Sequence, residues 1–306
     1  MITTKVYANM SAMQYGKRMD AERLRRVAEA RTLDEAFKML GDYGFYCADG
    51  LSVDGFIVGE TDRLIAFIDD VAASEKLKNA LTARFVYNNA KLAYKSRFAE
   101  MPSDGYYSVG LDADKIAAGD YSETDKYMCA ALTALDEADE RRPQAIDLCL
   151  TRAMYDYVCS CGIGLVKKYF KAEIDMKNIL SAARMRRLGI ESGDEFIDGG
   201  SVPRETLDES IAAEGFADCF ENTRFFEYAE NIERNEFKEL WRAERDADDY
   251  LYYLTAGTVA AFTSYQPFLN YYTETLAELK TVKTALVCIK TDTRGSFYER
   301  IPQLYK

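Results

Sequence analysis

Apolar residues along this chain recur every three or four positions, over stretches much longer than a strand. In FLNYYTETLAELKTVKTALVCI (268–289), Phe268, Tyr272, Thr275, Leu279, Val282, Leu286 and Ile289 step by four and three. In KAEIDMKNILSAARMRRLG (171–189) and the residues before it, Val166, Tyr169, Ala172, Met176, Ile179 and Ala183 do much the same. That spacing puts the side chains on one face of a helix. Strand-type alternation bounded by Asn-Gly or Asp-Gly turns is scarce. Prolines, which break helices, number five, with none before Pro102 and none between Pro203 and Pro267. The pattern predicts a chain that is all-α.

Breaks are expected where Gly, Pro, Ser and Asp cluster: EMPSDGYYSVG (100–110), ERRPQ (140–144), GIESGDEFIDGGSVP (189–203) and SYQP (264–267). Ser201 with Pro203 reads as a helix start.

The polar positions inside the helical stretches also recur. VYNNAKLAYKSRF (86–98), DMKNILSAARMRR (175–187) and ELKTVKTALVCIK (278–290) align on Asn89, Asn178 and Thr281. A basic residue stands close by in each: Lys91, Lys177, and Lys280 with Lys283. After the first two copies comes a related tail, YYSVGLDADKI (106–116) and EFIDGGSVPRETL (195–207). Each tail has an aromatic, a short loop with glycine, and a helix start. This periodicity predicts three divergent units, 1–104, 105–212 and 213–306. The candidate motif residues are Asn89, Lys91, Asp175, Lys177, Asn178, Glu278, Lys280 and Thr281. A mid-helix Asn that only faces solvent needs no explanation. A recurring one predicts a buried amide that ties helices together and fixes their register.

Composition narrows the function. The net charge of −12 argues against nucleic acid as a partner, because phosphate binding needs clustered Lys and Arg. The chain has no histidine, which removes the commonest general base and metal ligand together. The seven cysteines lie mostly in apolar helical patterns and predict reduced, buried thiols. Cys159 and Cys161 point to opposite sides of a helix and make a poor metal pair. No apolar run reads as a signal peptide, and none reaches the eighteen residues of a membrane span. CGIGLVKK (161–168) lacks the third glycine of a dinucleotide loop and the spacing of a phosphate loop, so it reads as a helix with two small residues at a close contact. The acidic run ERDADD (244–249) reads as a solvated helix face, and the abundant tyrosines as helix–helix core or protein–protein surface. No catalytic, cofactor-binding or metal-binding residue is assigned.

Four segments carry a resemblance. VYANMSAMQYGKRM, YNNAKLAYKSRF, EIDMKNILSAARMRRLG with FIDGGSVPRETL, and PFLNYYTETLAELKTVKTALVCIKTDTRGSFYERI follow, in order, the motifs of the A/V-type ATPase central-stalk subunit called C in prokaryotes and d in eukaryotes. The sequence resembles that family over almost its whole length. It departs at Thr281 and Lys280, where the family has Asn and Arg, and at Ser11 to Gln14, which lack the family's arginines. The resemblance implies a funnel-like, all-helical protein of three pseudo-threefold-related units with no active site and no cofactor. It implies a rotor subunit that sits on the membrane rotor ring, receives the central shaft formed by subunits D and F, and transmits torque for ion transport or ATP synthesis. The place implied is peripheral, at the cytoplasmic face of a prokaryotic plasma membrane.

Two other readings remain open on sequence. One is a free-standing helical-repeat scaffold for soluble protein partners. The other is a helical enzyme that binds Mg2+ on clustered carboxylates, as prenyl synthases do. The second is disfavoured because Asp248-Asp249 is followed by Tyr252 and Tyr253 where further acidic residues are needed.

Overall fold

A computed structural model describes residues 4–15, 19–48, 50–99, 105–138, 142–190, 195–256, 264–302 and 305. All regular secondary structure among these residues is helical. The α-helices are α1 (Thr4–Tyr15), α2 (Ala21–Ala28), α3 (Leu33–Asp42), α4 (Val53–Val71), α5 (Glu75–Lys95), α6 (Ala113–Ala118) and α7 (Lys126–Glu137). They continue with α8 (Pro143–Ser160), α9 (Gly164–Leu188), α10 (Arg204–Ala212), α11 (Phe226–Arg234), α12 (Trp241–Thr255), α13 (Gln266–Lys290) and α14 (Phe297–Arg300).

Local chemistry sets many of the boundaries. Ser52 and Ser74 accept from the third residue of α4 and α5, satisfying backbone donors that the helix itself leaves free. Asp125 does the same for α7 with two bonds, from the amides of Tyr127 and Met128. Pro143 stands at the first position of α8, where its missing N–H costs nothing. Helix α9 ends at Gly189, whose φ of +66° is the left-handed cap that favours glycine. The ERRPQ and SYQP breaks fall at the starts of α8 and α13. Residues 100–104 and 191–194, in the first halves of the other two breaks, lie outside the described residues.

Two expectations are corrected. Helix α10 does begin directly after Pro203, but Ser201 is not its cap. Its hydroxyl bonds to Asp175 instead. In CGIGLVKK, Gly162 and Gly164 are not in a close helix contact. Gly162 has φ of +77° in the turn between α8 and α9, and a Cβ at either glycine would meet open space. The sequence pattern misleads there because two small residues serve packing and turning equally well.

Packing follows a cycle. Helix α4 lies against α5, α5 against α8, α8 against α9, α9 against α12, α12 against α13, and α13 against α4. The other helices flank this cycle. Helices α6 and α7 cover α5 and α8, α10 covers α9, α11 covers α12, and α1, α2 and α3 cover α13. The main core runs through the cycle and includes the fully buried Tyr94, Phe170 and Phe268. A second core joins α2 and α3 to the C-terminal half of α13, through Leu40, Phe56, Val282, Leu286 and Phe297. Each such side chain removed from water contributes about 1.5–3 kcal/mol, so the cycle is a stiff body rather than a string of independent hairpins. The tyrosines supply much of it: Tyr87, Tyr94, Tyr155 and Tyr272 are among the largest fully buried side chains.

Candidate functional site

The recurring asparagines fasten loops, not neighbouring helices. On α5, Asn89 is buried. Its Nδ2 donates to the Tyr107 carbonyl at 2.8 Å, and its Oδ1 accepts from the Tyr107 amide at 3.0 Å. On α9, Asn178 makes the same reciprocal pair with Ile197, both bonds at 2.8 Å. An Asn side-chain amide presents an N–H donor and a C=O acceptor in the spacing of a backbone amide. It can therefore complete a backbone residue that has no strand or helix to pair with.

A carboxylate grips the next part of each loop. Asp175, fully buried, accepts from the Ser201 amide at 2.7 Å, from the Ser201 hydroxyl at 2.5 Å and from the Val202 amide at 2.9 Å. Arg224 stands 3.9 Å from it and balances part of its charge. Gly200 is required by space: a Cβ there would come 2.2 Å from Asp175 Oδ1. In the earlier loop, Asp62 of α4 accepts from the Ser108 amide at 2.7 Å and from its hydroxyl at 2.8 Å. The serine is served alike in the two loops. The carboxylate comes from the preceding helix in one and from the Asn-bearing helix in the other.

The third aligned copy differs. Thr281 is buried, but its hydroxyl donates to the Ala277 carbonyl of its own helix at 2.7 Å. Glu278 accepts from the Met19 amide at 2.8 Å, so α13 holds the segment that follows α1. Asn9 of α1 in turn donates to the Ser264 carbonyl at 2.8 Å and accepts from the Phe268 amide at 3.2 Å.

The basic members of the motif gather elsewhere. A cleft of about 360 Å³ is walled by α8, α9, α11, α12 and α13. A second cleft of about 320 Å³ adjoins it, walled by α5, α9, α12 and α13. The two share Glu173, Lys177, Asp248, Leu251 and Lys280. Lys280 donates to Asp248. Lys91 of α5 reaches Thr151, a cleft residue of α8, with its Nζ 2.7 Å from the hydroxyl. Burial holds the Asp248 carboxyl above the usual carboxylate range against the pull of Lys280. Burial lowers the Lys91 ammonium below the ordinary lysine value; Lys177 and Lys95 push the same way against Asp147. At the α5 wall, Arg84 meets Glu173 at 3.3 Å and lies over the rings of Phe170 and Tyr272. The Tyr272 hydroxyl donates to the Leu81 carbonyl at 3.0 Å, and burial pushes it up to about 12.

Thus Lys177 and Lys280 line one cleft and Lys91 bonds Thr151 in its wall, whereas Asn89, Asp175, Asn178 and Glu278 point into loop junctions. Sequence reasoning missed Asp62, Arg84, Thr151, Glu173, Asp248 and Asn9. Asp248 and Asp249 belong to the acidic run expected to face solvent, yet Asp249 is buried and Asp248 lines the cleft. The available signal was the length of the run, since a helix cannot turn six successive residues to water. Among the cysteines only Cys288 is buried; the other six are half-buried, and all are free thiols. The arrangement offers a concave, charge-lined cleft between packed helices.

Compared with known proteins, the chain matches the model of the ATP synthase (C/AC39) subunit family over residues 8–296. No curated protein matches it.

Proposed function

The chain belongs to the ATP synthase (C/AC39) subunit family, and from that membership we propose that it is the non-catalytic rotor connector of a prokaryotic A/V-type ATPase. In this reading it joins the central shaft, built from subunits D and F, to the membrane rotor ring, and carries torque between them. The observation that carries the proposal is the family match over residues 8–296. The cleft where residues of α5, α9, α12 and α13 meet supports it, because side chains of a shaft tip placed there would be held by walls from four helices. Torque passes through such a joint only if the walls do not yield, and a close-packed helical frame supplies that stiffness.

The charges of the cleft suit a protein partner. Glu173, Lys177, Asp248 and Lys280 offer both signs at fixed positions, which sets register and partner choice more than raw affinity. No helix among the described residues is long and apolar enough to cross a membrane. Attachment to the ring therefore runs through surface contacts, at the cytoplasmic face of the plasma membrane. The units 1–104, 105–212 and 213–306 would then be three sectors of one connector, each contributing a long helix to the seat.

The test is recovery of the tagged chain from detergent-solubilised membranes of its own cell. The connector reading expects both ring and shaft subunits in the eluate. A chain that elutes alone, or with soluble partners only, would favour the free-standing scaffold and overturn it.

A further inference from the structure

A third recess shares no lining residue with the two clefts. It has a volume of about 530 Å³ and is lined by Gly164, Lys167, Lys168 and Lys171 of α9, by Ser201 and by Arg224. Four of these six residues are cations and none is an acid, on a chain whose net charge is −12. Gly164, Lys167, Lys168 and Lys171 follow the spacing i, i+3, i+4 and i+7, so the helix turns them to one face. Lys167 and Lys168 are exposed, and Lys171 is half-buried. Among the described residues, the three lysines have no ion pair and no side-chain hydrogen bond. Arg224 stands 3.9 Å from Asp175, at the limit of ion-pair reach, and that carboxylate is already engaged by Ser201 and Val202.

The placement of the lysines runs against helix electrostatics. A helix carries partial positive charge at its N-terminus, which disfavours cations there, and like charges three or four residues apart repel. Helices α2 to α6 follow the rule, each with an Asp or Glu in its first turn. Helix α9 has no acid there and no side-chain cap on its free amides, and its first eight residues hold three lysines. Local rules broken without a compensating contact concentrate at functional sites.

We propose that Lys167, Lys168, Lys171 and Arg224 form a binding site for a phosphate group, carried by free phosphate or by the headgroup of an anionic phospholipid. Three ammonium groups and a guanidinium supply more donors and more charge than one carboxylate can use, whereas a phosphate spreads its charge over several oxygens. Ser201 contributes shape only, since its hydroxyl already donates to Asp175. Such a site stands whether or not a shaft enters either cleft.

The isolated full chain is titrated with inorganic phosphate at fixed ionic strength. Separately, it is sedimented with phosphatidylcholine vesicles that contain or lack phosphatidylglycerol. The wild-type chain is expected to bind in at least one arm. Lys167→Gln, Lys168→Gln and Lys171→Gln together are expected to weaken that binding by about tenfold or more. Lys38→Gln, Lys283→Gln and Lys290→Gln together remove the same charge from α3 and α13, outside the recess, and should change it by less than about twofold. The first triple variant should melt no lower than wild type, because its lysines hold no partner. Binding of inorganic phosphate assigns the free anion, and binding to phosphatidylglycerol vesicles alone assigns a headgroup. No binding in either arm, equal binding by the first triple variant, an equal loss in the second, or a lowered melting midpoint in the first would overturn the site.

Discussion

The loop that follows α9 and the junction around α13 face the same problem and solve it differently. Each long helix must fix irregular backbone beside it. At α9 the fasteners are local: Asn178 and Asp175 bind residues 19 to 27 positions further on. At α13 they come from the far end of the chain. Met19 bonds Glu278 and Asn9 bonds Phe268, in both cases 259 positions apart. Local fasteners close short loops at little entropic cost. Distant ones form only when the chain has closed on itself, after the loop-closure entropy has been spent. The α9 loop is therefore held mainly by residues near it in sequence, and the α13 junction by residues from the far end of the chain.

The comparison is broken most forcefully at Asp175. Asp175→Ala leaves the Ser201 amide, the Ser201 hydroxyl and the Val202 amide without their acceptor. A loss of about 3–5 kcal/mol is expected, measured by denaturant unfolding, with fast amide exchange confined at first to residues 197–204. Asn178→Leu removes the reciprocal pair to Ile197 and is expected to lower stability by about 2–4 kcal/mol. Asn9→Leu removes two similar bonds, but its exchange signature should appear at residues 264–268. If Asn9→Leu loosened the α9 loop as well, the two regions would not be separate units.

Smaller effects sharpen the contrast. Thr281→Val deletes only a hydroxyl bonded to its own helix, and should change stability by no more than about 1 kcal/mol. A loss as large as that of Asn178→Leu would mean that the third position also fastens a loop. The smallest effect concerns pH. The folded-state pKa of Lys91 is depressed, so its favourable contribution exists only above the unfolded lysine value and is lost as pH falls. At neutral pH it subtracts from stability. Lys91→Met should therefore raise the melting midpoint by about 1–2 °C at pH 7. That gain should shrink as pH approaches about 10.4, the ordinary lysine value.

Much of this was legible in the sequence, for a physical reason. Helices announce themselves by spacing, and the runs from Val166 to Ala183 and from Phe268 to Ile289 fall inside α9 and α13. Membership of the family was legible too, from motifs spread along the chain. Asn89 and Asn178 could be picked out because the residues around them recur. What they bind could not, since periodicity describes one helix and not its partner. Asp62 escaped notice because its serine lies 46 positions away, and Asn9 because its loop lies at the other end of the chain. The cleft was hidden for the same reason. Arg84, Thr151, Glu173 and Asp248 stand on four different helices, and only the cycle of α5, α8, α9 and α12 brings them together.

Whether a shaft enters this cleft is read most directly from a photo-crosslinker placed at position 177 in the assembled membrane complex. A probe at Glu209, exposed on α10 and away from the cleft, serves as control. The connector account predicts crosslinking to a shaft subunit from position 177 and none to the shaft from 209. Crosslinks from 177 to ring subunits alone, or equal shaft crosslinking from both positions, would contradict it.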